Sequence, residues 1–338
     1  MRNHDGAKTA TRIILLLAVL TTAGCSLIMG TEDAPAQKVL SFRFVETLRN
    51  EASLRGESLR ESAPNADRAT TLQQPNSVYA DAFRVYVTDF LPARVFVFDR
   101  GERKTTILDN TSQIKLINPG AITVDAIGTV WVSDTTQGRV FGFDRFGKLL
   151  YTIGKMAEIG LPSGLASDHR RNRLYVADEH SHQVKVFDSL GGRVYEGSRV
   201  LEIGTSGRPA EDLKFPGALT LDREGNLYVL DTVRRRVQVY APDGKFVRGV
   251  NFSGTTPGQA VNPKGIALDS EGHLYVTDMV SNNVLVFDRE GVLLLTWGRT
   301  GTLIGDFWSP AGIFIDDQDT IYIADQTNSR VQVFQYYH

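Results

Sequence analysis

Residues 310–334 read PAGIFIDDQDTIYIADQTNSRVQVF, and this stretch decides the fold because it is one copy of a unit that recurs along the chain. The unit opens on a proline, contains two short apolar runs that each end in aspartate, and continues into a third run. In the third run Val331 and Val333 alternate with polar residues, as in a strand that buries one face. Turn-forming residues separate the runs, so the unit predicts a series of short antiparallel strands.

Six copies of the unit follow one another along the chain. They begin at Pro75, Pro119, Pro162, Pro216, Pro263 and Pro310. The second apolar run ends in aspartate 14 to 16 residues after each proline, and successive prolines are 43 to 54 residues apart. A repeat of this length that consists of β-rich runs is typical of a propeller blade rather than of a helical solenoid. We therefore predict an all-β, six-bladed β-propeller with four strands, A to D, in each blade.

The pattern resembles the NHL repeat, whose consensus runs P-x-G-I-A-V-D and then G-x-L-Y-V-A-D-x-x-N-x-R-V-Q-V-F. The resemblance covers about residues 72–335, and residues 311–334 lie nearest to the consensus. The copy that begins at Pro75 departs furthest, with Ser77 in place of the glycine. The resemblance implies an NHL-repeat β-propeller.

The sixth copy reaches the end of the chain after its third strand, so its blade needs a fourth strand from elsewhere. An open ring would leave an unpaired strand edge. Residues 40–48, LSFRFVETL, form a strand-like run, and we predict that they close the ring as the outermost strand of blade six. The propeller domain is then expected over residues 38–338.

The N-terminal segment is predicted to direct export. A short apolar run over residues 13–20 follows three basic residues, Arg2, Lys8 and Arg12. This is the pattern of a signal peptide, here over residues 1–24. The sequence Thr-Ala-Gly-Cys at residues 22–25 resembles the lipobox of bacterial lipoproteins, which implies a lipid on Cys25 and a tether over residues 25–37. The alternative is an ordinary signal peptide with an unmodified Cys25. We expect a membrane-anchored lipoprotein of the cell envelope that faces the periplasm or the cell exterior.

Charge argues against a nucleic-acid partner. The formal net charge is −2, and removal of the basic N-terminal segment makes the rest of the chain more acidic. Proteins that bind nucleic acids through phosphate contacts usually carry a basic surplus. Cys25 is the only cysteine, so the fold contains no internal disulfide.

Two sets of aspartates recur in register with the repeat. One set follows strand A: Asp81, Asp125, Asp168, Asp222, Asp269 and Asp316. The other set follows strand B: Asp89, Asp134, Asp178, Asp231, Asp278 and Asp325. Rings of carboxylates could bind cations, but aspartate at a strand end also accepts hydrogen bonds from its own turn. We interpret both sets as structural, and predict that the arginines at the start of strand C pair with the aspartates of the second set.

Candidate binding residues lie where the sequence departs from the repeat, because repeat proteins place specificity in irregular loops. The turns between strands B and C and the long loop at residues 204–217 are expected on one rim of the ring. The candidates are Phe90, His180, His182, Arg234, Arg235 and Met279. Two histidines are fewer ligands than zinc requires, so we predict no metal site and no cofactor. Arg234 and Arg235 suit either an anion site or a solvated surface.

The predicted function is a monomeric, non-catalytic scaffold that binds a protein, peptide or glycan partner at the cell envelope. The alternative is a metal-dependent lyase or lactonase with its site at the propeller channel, because some six-bladed relatives are enzymes of that kind. The metal-ligand sets of those enzymes have no counterpart at matching positions of this sequence, and we predict no catalytic residue.

Overall fold

The computed structural model describes residues 40–55, 70–108, 114–154, 159–188, 199–204, 208, 211–252 and 259–337. The signal peptide, Cys25 and the tether lie outside these residues and stay predictions. The described chain opens with strand β1 (Ser41–Leu48) and a short 3₁₀ helix (Glu51–Arg55). All other described elements are strands, and together with β1 they form six antiparallel sheets of four.

The first three blades follow the chain from the inner strand A to the outer strand D. Blade one consists of β2 (Pro75–Ala80), β3 (Arg84–Phe90), β4 (Ala93–Asp99) and β5 (Lys104–Leu108). Blade two consists of β6 (Pro119–Val124), β7 (Val130–Asp134), β8 (Arg139–Phe143) and β9 (Leu149–Ile153). Blade three consists of β10 (Pro162–Asp168), β11 (Arg173–Asp178), β12 (Gln183–Asp188) and β13 (Arg199–Ile203).

The last three blades repeat this order, with one exception in blade six. Blade four consists of β14 (Pro216–Leu221), β15 (Leu227–Asp231), β16 (Arg236–Tyr240) and β17 (Phe246–Asn251). Blade five consists of β18 (Pro263–Leu268), β19 (Leu274–Asp278), β20 (Asn283–Phe287) and β21 (Leu293–Trp297). Blade six consists of β22 (Pro310–Ile315), β23 (Thr320–Asp325) and β24 (Arg330–Tyr337), and β1 is its outer strand. The prediction of an all-β, six-bladed propeller is confirmed.

Ring closure by the N-terminal strand is also confirmed. β1 runs antiparallel to β24, with Ser41 opposite Tyr337 and Leu48 opposite Val331. A bulge lies between Phe44 and Glu46. The two termini of the propeller therefore share one blade, and β24 has no unpaired edge on that side.

Blade packing forms the hydrophobic core. Between blades five and six, the ring of Phe42 from β1 stacks on Trp297 at 4.9 Å and meets Tyr275 edge to face at 6.2 Å. Trp297 in turn packs edge to face on Phe307 and Phe334. Offset and edge-to-face aromatic contacts add to the stability that burial alone provides. β1 is thus part of the core.

The inner strands surround a central channel with two distinct rims. Each inner strand contacts the inner strand of the next blade, and β22 contacts β2, so blades three and four face blades six and one across the channel. The proline that opens strand A pairs with the aspartate that ends strand B, as Pro75 does with Asp89. The loops from D to A and the turns from B to C therefore share one rim, the D–A rim. The A to B and C to D turns form the opposite A–B rim.

The aspartates after strand A are structural, as predicted. One carboxylate oxygen of Asp125 accepts hydrogen bonds from the backbone N–H groups of Ile127 and Thr129 at 3.1 and 2.8 Å. The other oxygen accepts a hydrogen bond from the Trp131 indole at 2.9 Å. Asp269 and Asp316 accept equivalent backbone hydrogen bonds from their own turns. These carboxylates hold the A to B turns in shape.

The aspartates after strand B bind a second loop besides their own turn. Asp89 accepts hydrogen bonds from the backbone N–H groups of Gln73 and Gln74, and also from that of Leu91. The first two donors belong to the loop before strand A, which the pairing of Pro75 with Asp89 brings alongside. Each such aspartate therefore ties a D–A loop to a B–C turn.

The predicted arginine pairs occur in blades four and six. Arg236 lies 3.3 Å from Asp231, and Arg330 lies 2.7 Å from Asp325. Blade three has Gln183 at the arginine position, and there the ammonium group of Lys185 lies 2.7 Å from Asp178. A lysine two residues later in strand C thus replaces the missing arginine.

Candidate functional site

The D–A rim exposes an unusual amount of apolar surface. Its exposed large apolar side chains come from both the B–C turns and the D–A loops: Leu91, Ile117, Leu161, Phe215, Val233, Val261, Val280, Leu303, Ile304 and Trp308. Val233 is 62% exposed and Trp308 is 48% exposed. The A–B rim exposes fewer such side chains among the described residues: Phe83, Ile127, Phe146 and Val292. Concentration of exposed apolar side chains on one face is typical of an interaction surface.

Two predicted site residues meet the loop before blade four. The His182 ring, half-buried, packs edge to face on Phe215 at 5.5 Å. Arg234 donates a hydrogen bond to the carbonyl oxygen of Asp212 at 2.6 Å and lies 3.9 Å from Asp231. These contacts place the B–C turns and the long loop on the same rim, as the sequence predicted.

The other predicted site residues are spread around the same rim. Phe90 is the last residue of β3 and is half-buried, and Met279 is half-buried in the turn after β19. His180 and Arg235 are exposed in the turns of blades three and four. The structure gives no contact of Phe90 or Met279 with the histidines, so the six residues do not form one cluster. Their role in binding stays a prediction.

The D–A rim also carries exposed cations beside the apolar side chains. Lys115 lies two residues before Ile117, Lys214 directly precedes Phe215, and Arg235 lies two residues after Val233. Nearby Arg208 pairs with Glu211 at 3.0 Å. The outer part of the rim therefore combines apolar side chains with positive charge.

The channel mouth at this rim contains a half-buried acid. Glu179 and Ser163 line the channel in blade three, and Lys264 lines it in blade five. Burial raises the pKa of Glu179, while the Lys264 charge and a hydrogen bond with Ser163 oppose the rise. The channel holds a cavity of about 1330 Å³. Within the described chain, no three side chains of His, Cys, Asp or Glu are grouped as metal ligands.

Known families match two parts of the chain. Residues 160–187 match the NHL repeat, and residues 267–338 match a family described as 6-bladed beta-propeller. Together with the six sheets, these matches define the class of protein, which is a six-bladed β-propeller with a match to the NHL repeat.

Two relatives share part of this sequence. The human E3 ubiquitin-protein ligase NHLRC1 is 30% identical over 105 residues, which are 30% of this chain and 25% of the relative. The NHL repeat-containing protein 2 of Bos taurus is 31% identical over 137 residues, which are 36% of this chain and 18% of the relative. The matches thus span a quarter or less of each relative.

Solved structures with low sequence identity share the fold. A protein of unknown function from Bacteroides thetaiotaomicron has a TM-score of 0.61 at 14% identity, with 97% of this chain and 87% of that chain covered. Virginiamycin B lyase from Staphylococcus aureus has a TM-score of 0.57 at 13% identity, with 87% and 99% covered. At this identity the likeness concerns the fold alone.

No helix among the described residues is long and apolar enough to span a bilayer.

Sequence reasoning did not single out the apolar side chains of the D–A rim. The signal was present, because Leu161 and Phe215 directly precede the repeat proline, where other copies carry Gln74, Asn118 or Asn262. It was missed because an apolar residue next to a strand is ordinarily counted as core. These side chains are exposed because they lie in loops at the rim and not in the strands that pack between blades.

Proposed function

We propose that this propeller is a scaffold of the cell envelope, exported and anchored by a lipid on Cys25, that binds a protein partner on its D–A rim. The observation that carries the proposal is the concentration of exposed apolar side chains on this rim. Rigid apolar side chains such as Phe215 and Trp308 contribute most of the binding energy in protein interfaces when a partner covers them. The relatives that share part of this sequence are longer chains, which is consistent with a propeller that serves as a binding module.

The charge of the rim indicates the character of the partner. Lys115, Lys214 and Arg235 are exposed and lie close in sequence to exposed apolar side chains. Complementary charge increases the association rate and suppresses wrong partners. The partner surface is therefore expected to combine apolar and acidic side chains.

Site-specific photo-crosslinking in intact cells tests the docking rim. A photoreactive phenylalanine analogue at Val280 or at Trp308 is expected to yield the same discrete protein adduct, because both positions lie on the D–A rim. The same analogue at Phe146, which is 76% exposed on the A–B rim, is the matched control and is expected to yield none of it. Adducts are separated by electrophoresis and identified by mass spectrometry.

A double substitution distinguishes specific docking from chance proximity of a protein to the photoreactive side chain. Lys214→Glu together with Arg235→Glu is expected to weaken the adduct at Val280, because the charge at the edge of the rim is reversed. The protein should remain folded, since exposed substitutions usually change stability by about 0.5 kcal/mol or less. Equal adducts from Phe146 and Val280, or an adduct that is indifferent to charge reversal, would contradict the proposal.

The direction in which the chain enters the propeller is compatible with a lipid anchor. Ser41 pairs with Tyr337, at the end of β24 remote from the B–C turn. The chain before β1 therefore leaves from the A–B side of blade six. A tether between Cys25 and β1 spans at most about 58 Å when fully extended. The D–A rim lies on the side opposite to this exit point, so an anchor on the tether leaves the rim accessible.

Cys25→Ser is expected to release the protein from the membrane fraction, because the side chain that carries the lipid is lost. Fractionation with mass spectrometry of the mature N-terminus measures this, and Ser26→Ala is the control that should stay anchored. A Cys25→Ser protein that remains in the membrane pellet at high salt, with its signal peptide removed, would show that another element provides the anchor.

A further inference from the structure

We propose that the channel mouth at the A–B rim binds a small organic anion, a carboxylate or phosphate monoester that carries an apolar ring. This site lies on the rim opposite to the docking rim, so it stands or falls independently of the proposed function. Four arginines of blades three to five line the mouth: Arg170, Arg223, Arg248 and Arg289. Guanidinium groups bind carboxylates and phosphates through paired, charge-assisted hydrogen bonds.

These arginines have no ion-pair partner among the residues that the structure describes. Other arginines of the same rim do pair, as Arg171 does with Asp168 at 2.9 Å. Glu224 and Glu290 are exposed on neighbouring turns, and neither lies within 4.0 Å of an arginine of this set. The four positive charges are therefore available to a ligand.

Hydrogen bonds to neighbouring backbone and side-chain oxygens hold three of the four side chains in position. Arg170 donates to the carbonyl oxygen of Arg223 at 2.7 Å, and Arg289 donates to that of Glu271 at 2.6 Å. Arg248 donates to the Tyr228 hydroxyl at 3.4 Å, and its guanidinium lies 5.8 Å from the centre of that ring. Each guanidinium keeps further N–H donors. Side chains held in this way lose little freedom when they bind a ligand.

A glycine makes room for one of these arginines. Gly272 lies in the A to B turn of blade five with a φ of 81°, and a Cβ atom there would collide with the side chain of Arg289. Only glycine combines this backbone conformation with so close an approach. The turn thus positions Arg289 against the channel mouth.

The opposite wall of the channel is aromatic. Tyr79 of blade one and Phe314 of blade six line the cavity and contact each other with ring centres 4.6 Å apart. Blades one and six face blades four and three across the channel. An anion held by the arginines can therefore extend an apolar ring toward Tyr79 and Phe314 in a cavity of about 1330 Å³.

Carboxylates line the same mouth as the arginines. Asp168, Asp222 and Asp269 belong to blades three to five, and each accepts hydrogen bonds from backbone N–H groups of its own turn. Asp317 of blade six is exposed at the mouth. An anionic group is therefore expected to bind at the guanidinium donors and away from Asp317.

Calorimetric titration with phenyl phosphate and with inorganic phosphate tests the site. At low ionic strength phenyl phosphate is expected to bind more tightly than inorganic phosphate, because its ring reaches the aromatic wall. Arg223→Gln and Arg289→Gln should each raise the Kd of both probes by roughly tenfold, the effect of one charge-assisted hydrogen bond. Phe314→Leu should raise the Kd of phenyl phosphate alone.

Arg145→Gln is the matched control, because Arg145 lies on the same rim in blade two but outside the channel. It should leave both Kd values unchanged. Melting curves establish that each variant is folded. Because Arg223 is exposed, its replacement should not disturb the fold. Absence of binding at millimolar phenyl phosphate, or an equal loss in Arg145→Gln, would overturn the proposal.

Discussion

A protein shortened to begin at residue 50 is expected to lose most of its stability and to aggregate. The truncation removes β1, the outer strand of blade six, and leaves β24 with an exposed edge. It also removes the buried side chains of Leu40, Phe42 and Leu48. Each large apolar side chain contributes about 1.5 to 3 kcal/mol when buried, so the combined loss is comparable with the whole stability of a typical domain.

The substitution Phe42→Ala isolates the packing part of this effect. Phe42 is 7% exposed and stacks on Trp297, so its truncation is expected to cost about 3 to 5 kcal/mol. Val45→Ala is the matched control in the same strand, because Val45 is 45% exposed, and it should cost about 0.5 kcal/mol or less. Chemical denaturation measures both values. Equal melting of the shortened and intact proteins, or equal costs for the two substitutions, would mean that β1 does not stabilise the ring.

The fold was predictable because the same residues recur at the same places in every blade. The proline that opens strand A and the aspartate that ends strand B meet in the structure, and Pro75 with Asp89 is one such pair. Because the same spacing occurs six times, each copy is expected to adopt the same local geometry. The strands of one blade could therefore be predicted without reference to the other blades. Closure by residues 40–48 followed from the need to cover one remaining edge.

The sites were much less predictable, since they depend on residues that the repeat brings together from distant parts of the chain. Arg170, Arg223 and Arg289 each look like an ordinary exposed turn residue in sequence. Only the ring order of the blades places them around one mouth together with Tyr79 and Phe314. In the same way, Trp308 has no sequence feature that distinguishes an exposed apolar side chain from a buried one, and Phe215 is marked only by comparison with the polar residues that other copies carry before the repeat proline.

Blade three shows how a departure from the repeat is compensated within one strand. The sequence has Gln183 where blades four and six carry the arginine of strand C, and the prediction of arginine pairs did not identify Lys185 as its substitute. Strand pairing explains the substitution, because Gln183 and Lys185 are two residues apart and lie on the same face of β12. In blade six, Gln332 occupies the position of Lys185 and also contacts the aspartate of its blade, at 3.2 Å from Asp325.

Replacement of Lys185 by methionine is expected to cost about 3 to 5 kcal/mol, the usual effect of removing one partner of a buried ion pair. The side chains of Lys185 and Asp178 are 5% and 1% exposed. Burial alone would raise the pKa of Asp178, but Lys185 and hydrogen bonds from Leu161, Ser181 and Gly160 outweigh it and lower the pKa to about 2. The carboxylate would stay buried in the variant with its main counter-charge removed.

The loss of stability in Lys185→Met is expected to depend on pH in a definite direction. The folded-state pKa of Asp178 is about 2, below the value of about 4 in an unfolded chain. The stabilisation from its ionised form is complete above about pH 4 and disappears as the pH falls toward 2. The difference in melting temperature between the wild type and Lys185→Met is therefore expected to be constant from neutral pH down to about pH 5 and to narrow in more acidic solution.

The double substitution Gln183→Arg with Lys185→Gln is the matched control, because it gives blade three the residues that blade six uses around Asp325. Arg330 and Gln332 contact that carboxylate at 2.7 and 3.2 Å. Since the backbone register of β11 and β12 equals that of β23 and β24, the new arginine should reach Asp178 and restore most of the stability that Lys185→Met loses. If the double variant is as unstable as Lys185→Met, the ion pair of blade three depends on lysine itself rather than on any cation at this carboxylate. If Lys185→Met melts like the wild type at neutral pH, the pair contributes no net stability.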